Sequence, residues 1–111
     1  MSDISDDLKL VIQALGVGVA VADPEDWSIS FENAKFFQWF PPTVDSDAPL
    51  SERLTGLNLE RARDRLSSAR PFRYEHEVKG AKRTSSLVIE LRTDTIGEGD
   101  TARDVIIAEC R

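Results

Sequence analysis

Few side chains in this sequence are equipped for chemistry. His76 is the sole histidine and Cys110 the sole cysteine. A nucleophilic site needs a serine or thiol within reach of a base that is itself oriented. Ser85 and Ser86 fall on the strand expected to follow that of His76, but no nucleophile turn accompanies them and no third group completes the set. Acid–base chemistry would need a carboxylate on the same face as Tyr74 or His76, whereas the alternation of "FRYEHEVK" turns Glu75 and Glu77 to the other face. The stretch "DTIGEGD" lacks the oxygen spacing of a calcium loop, and no Cys/His cluster exists for zinc. Gly16 and Gly18 precede a strand instead of following one, so they are not a dinucleotide loop. What remains is a set of polar groups, Asn33, Tyr74 and His76, among the aromatic side chains Phe36, Phe37 and Phe40 and the aliphatic Ile89. Such a set makes either a filled core or the wall of a small-molecule pocket between helix and sheet.

The elements that must position these residues follow from periodicity. Ile4, Leu8, Val11, Ile12 and Leu15 form one helical stripe, with Ser5 as N-cap, Asp6 and Asp7 in the first turn and Gly16 as the stop. That helix, residues 1–15, covers either its own domain or a second copy; the dimer-seam candidates are Leu8, Val11, Ile12 and Leu15. "VGVAVAD" is apolar on both faces, with Gly18, Ala20 and Ala22 making one of them small, which marks an interior strand. "DPEDWS" is turn chemistry and "SISFE" the returning strand. Asn33 then caps a two-turn helix with Phe36, Phe37 and Phe40 inward, stopped by Pro41 and Pro42. After a loop and one turn at "LSERL", a helix capped by Asn58 places Leu59, Ala62, Leu66 and Ala69 inward. Its arginines interleave with Glu60 and Asp64 as solvated helix pairs. Three strands follow, "PFRYEHEVKG" near an edge, "TSSLVIELR", and "DVIIAEC" in the interior, with "TDTIGEGDTAR" as a loop. These burial patterns are met by an α+β fold with a five-stranded antiparallel sheet of order 2-1-5-4-3 and short helices on one face.

The totals narrow the function classes. One domain fits 111 residues. Twenty acids against 14 bases give a net charge of −6, a surface that phosphate backbones repel, so nucleic acid is not an expected partner. The longest apolar run, Val17 to Ala22, is too short to cross a bilayer, and the N-terminus lacks the pattern of a secretory signal. With a single cysteine there is no internal disulfide, and a cytoplasmic location is expected.

"GVGVAVADPEDWSISFENAKFF" resembles the first hairpin of the PAS domain family of sensor modules, with Asp23 at its turn and an N-x-x-F step, Asn33 and Phe36, into the first helix. "PFRYEHEV", "TSSLVIELR" and "DVIIAECR" resemble that family's last three strands, so residues 16–111 are expected to be a PAS-like domain. One departure is "WFPPT", where the family often has a Gly-Tyr pair. The runs "DPEDW" and "FENAKFFQWFP" are similar to N-terminal PAS domains of bacterial nucleotide cyclases. The resemblance implies a non-catalytic sensing and dimerisation module, with the chain continuing past Arg111 into an effector such as a cyclase or kinase. Heme ligation in the family comes from a histidine on the helix before the third strand, where "NLERARDRLSSAR" has none. Covalent flavin chemistry needs a cysteine where "NAKFFQ" has Ala34. No cofactor is therefore expected, while an unidentified small molecule is compatible with the pocket residues. Two other readings stand beside this one: a cone-shaped α+β isomerase or dehydratase, which lacks its inward carboxylate, and an interaction domain without ligand.

Overall fold

A computed structural model describes residues 16–42, 47–79, 82 and 84–111. The strands are β1 (Gly18–Ala22), β2 (Ile29–Glu32), β3 (Phe72–Lys79), β4 (Thr84–Ile96) and β5 (Arg103–Cys110). Between β2 and β3 lie the helices α1 (Ala34–Trp39), α2 (Leu50–Arg53) and α3 (Leu59–Ser67). The expected N-terminal helix and its stripe Leu8, Val11, Ile12 and Leu15 fall outside the described residues.

The sheet has the expected order, β2-β1-β5-β4-β3, and every pairing is antiparallel. The first and last strands meet at its centre, with Gly18 opposite Cys110, Ala20 opposite Ala108 and Ala22 opposite Ile106. Those residues face the helices. So do Leu87, Ile89 and Leu91 of β4, which together with Phe36, Phe40, Leu50, Leu54, Ala62 and Leu66 make the core. Burying a large apolar side chain stabilises by about 1.5–3 kcal/mol, so Phe36 and Phe40 help anchor the short α1. Small residues on β1 are what let α1 come so near. A Cβ on Gly18 would lie 3.1 Å from the Trp39 ring and 3.2 Å from the Phe36 backbone.

Four local features differ from the sequence reading. Phe37 is 52% exposed. At 100° per residue, Phe36 and Phe40 share a face and Phe37 is rotated off it. Ala69 is exposed at φ 58, just past the end of α3, where its residue takes a left-handed conformation in place of glycine. Trp27, read as part of a turn, is buried at φ 64, and its carbonyl accepts a hydrogen bond from Leu50 N–H. Finally, "TDTI" is strand. β4 runs beyond β3, whose first pair is Phe72 with Leu91, and continues to Ile96 against β5 alone. Thr93, Thr95 and Ile96 are good strand formers, and the Thr95 hydroxyl donates to Asp104 across the ladder at 3.0 Å. The result is a two-stranded arm closed by a 3-10 turn at Gly99–Thr101.

Candidate functional site

The pocket candidates other than Phe37 lie on the helix-covered side of the sheet, and the junction of β1 with α1 is its most constrained part. Asn33 is 2% exposed. Its Oδ1 accepts from Phe36 N–H, capping α1, and from Val19 N–H, both at 3.0 Å. Its Nδ2 donates to the Val17 carbonyl at 2.8 Å, and its own N–H to the Val19 carbonyl at 3.0 Å. One amide side chain thus bolts the start of α1 to β1 on both sides of Gly18. A short polar side chain that both caps a helix and bonds a strand has no freedom to move independently of either.

Arg53, 4% exposed, fixes the other end of α1. Its Nε donates to the Phe40 carbonyl at 2.6 Å, and its two terminal nitrogens grip Glu32 at 3.0 and 2.6 Å. The guanidinium also lies 5.4 Å from the Phe36 ring and 5.7 Å from that of Phe37. This is the forked geometry that arginine alone supplies. Sequence reasoning missed it because a helix residue in "LSERL" gives no sign of burial.

Tyr74, His76 and Ile89 complete the set. The Tyr74 hydroxyl donates to the Thr55 carbonyl at 3.1 Å, and burial, then the neighbouring Cys110, raise its pKa well above the ordinary phenol value. His76 stacks at 6.1 Å from Phe40 and lies under Gly56, where a Cβ would come within 2.9 Å of its Nδ1. Gly56 has φ +82, so only glycine suits both the backbone and the space. Burial pushes the Cys110 thiol from 9.0 up to about 12, with Glu109 adding to it. Such a thiol is inert at neutral pH.

Chemically, this arrangement holds rings and backbone in place more than it offers reactive groups. Glu75 and Glu77 are exposed on the far face, Ser86 pairs with Glu77 on that same face, and no hydrogen bond joins His76 to either serine among the described residues. Among those residues no cluster of His, Cys, Asp or Glu could hold a metal ion, and no helix is long and apolar enough to cross a membrane. Phe36 and Ile89 are wholly enclosed, and the polar atoms of Asn33 and the Tyr74 hydroxyl are engaged within the protein. A groove of about 1080 Å³ lies elsewhere, between α3 and the start of β3, and none of the seven pocket candidates lines it.

No family model matches the sequence, and no curated protein matches it. Solved structures do. The PAS domain of nitrogen regulation protein NR(II) from Vibrio parahaemolyticus superposes with a TM-score of 0.63 at 15% identity, covering 94% of this chain and 95% of that one. The PAS domain of an HTR-like protein from Haloarcula marismortui gives 0.60 at 16% identity, over 97% and 96%. That of Bordetella pertussis BvgS gives 0.56 at 15% identity, over 98% and 85%. With its centre formed by the first and last strands, its order β2-β1-β5-β4-β3 and the helices α1, α2 and α3 on one face, the chain adopts the PAS fold.

Proposed function

We propose that this chain is a non-catalytic sensing module of a cytoplasmic bacterial signalling protein. It dimerises through the stripe Leu8, Val11, Ile12 and Leu15 and relays a change at α1 to an effector joined after β5, with a nucleotide cyclase as the effector class. The observation that carries this reading is the short path from helix to exit strand. Phe36 and Trp39 rest on Gly18, and Gly18 pairs with Cys110, the last residue of β5. Repacking α1 therefore reaches the end of the domain through one strand, a coupling that a bound molecule can bias. The module works without heme or covalent flavin, and its signal is a small molecule that displaces α1.

Backbone amide NMR tests the relay. Phe36→Leu should shift the amides of Glu109 to Arg111 as strongly as those of α1, and shifts confined to α1 and its loop would refute it. For the dimer, light scattering of Leu8→Asp with Ile12→Asp should give half the native mass, and an unchanged mass counts against the seam. The enclosure of Phe36 and Ile89 favours a second reading, an interaction domain with a filled core. Native mass spectrometry separates the two, since a co-purified small molecule is expected only for the first.

A further inference from the structure

The groove between α3 and β3 carries a property that the relay does not use. Four arginines line it, Arg61, Arg63 and Arg65 from the helix and Arg73 from the strand, together with the apolar Pro71 and Phe72. The spacing in the sequence predicts that Glu60 and Asp64 neutralise them, yet among the described residues no ion pair forms within α3. Arg61 and Arg63 have no side-chain partner there. Arg65 spends only its Nε, on the Pro71 carbonyl, and Arg73 reaches Glu90 at a slack 3.5 Å. Even with Glu60, Asp64 and Glu90 on its rim, the groove has more cations than anions, on a chain whose net charge is −6. Guanidiniums with unclaimed terminal nitrogens are forks for carboxylates.

We infer that this groove docks an acidic, extended peptide segment of a partner protein. Arg61 and Arg65 are one turn apart, about 6 Å along the helix, and Arg73 approaches from the sheet. One small anion cannot engage all of them, whereas a row of carboxylates on a peptide does. Pro71 and Phe72 receive the apolar side chains between those carboxylates.

The test is fluorescence anisotropy with a labelled eight-residue peptide of alternating Glu and Val, its Lys–Val counterpart, and a single-stranded oligonucleotide of equal charge, at low salt where such contacts are least screened. The Glu–Val peptide should bind, the Lys–Val peptide should not, and Arg61→Glu with Arg73→Glu should weaken binding by about tenfold or more. Arg61→Gln with Arg73→Gln gives a milder loss and serves if the reversal variant does not fold. Absence of binding at about 1 mM peptide, binding that ignores both variant pairs, or tighter binding of the oligonucleotide would each overturn the inference.

Discussion

Asn33→Ala removes the side chain that joins α1 to β1, and its cost can be worked from the contacts. Losing the cap on Phe36 N–H costs about 1 kcal/mol. Val19 N–H, on a buried residue and bonded to Asn33 Oδ1, is then stranded at about 1–3 kcal/mol. The Val17 carbonyl is only partly buried and can turn to water, so it adds little. The sum is about 2–4 kcal/mol, a large share of the roughly 5–15 kcal/mol that holds a domain of this size. Urea unfolding followed by circular dichroism measures it, and at a slope of about 2 kcal/mol per molar the midpoint should fall by about 1–2 M. Asn33→Ser separates the two contributions. Serine caps α1 but is too short to reach β1, so it should recover about 1 kcal/mol and no more. A loss below about 1 kcal/mol for alanine, or full recovery with serine, would show that Asn33 is not the bolt described above.

The buried arginine should behave differently from its exposed counterparts. Arg53→Ala strands Glu32 and the Phe40 carbonyl and should cost about 3 kcal/mol, against about 0.5 kcal/mol or less for Arg73→Ala; similar losses in the same urea assay would contradict this. Gly56→Ala should cost about 2 kcal/mol, from a left-handed backbone and a collision with His76. Adding His76→Ala should relieve the collision alone, so a double variant as stable as Gly56 protein would disprove the backbone share. Cys110 sets a pH dependence whose sign follows from its raised pKa. The fold favours the neutral thiol, so stability is undiminished below 9.0 and declines as pH rises towards about 12, with Tyr74 acting in the same direction. The urea midpoint should therefore drop between about pH 8 and about pH 10.5, and a thiol reagent at about pH 8 should label Cys110 only as fast as the protein opens; labelling at the rate of a free thiol would disprove this.

The strand order was legible because burial leaves a mark on sequence. A strand apolar on both faces must be flanked, and only β1 and β5 are written that way, while "FRYEHEVK" alternates as an edge does. Asn33 was legible as a cap but not as a clamp, since its bonds to Val17 and Val19 join residues 14 and 16 positions apart. Arg53 was invisible for the same reason, its partners being Glu32 and the Phe40 carbonyl. Phe37 misled because three phenylalanines in five residues look like one cluster, although a helix can turn only two of them inward. The arm of β4 and β5 was hidden by glycines and acids that read as loop, when the loop is only its tip.

The central place of β5 also governs how load would enter the domain. The strand is laddered to β1 on one side and to β4 on the other, and Arg111 still exchanges two backbone hydrogen bonds with Val88, at 2.7 and 3.0 Å. Traction applied at Arg111 must slide two ladders at once instead of peeling one open rung by rung. Gly18, at the head of β1, sits directly opposite Cys110, so the entering and leaving segments share one pole of the sheet. Torque between whatever is attached at those two points is thus borne by adjacent strands, while the arm at the opposite pole is left free of it.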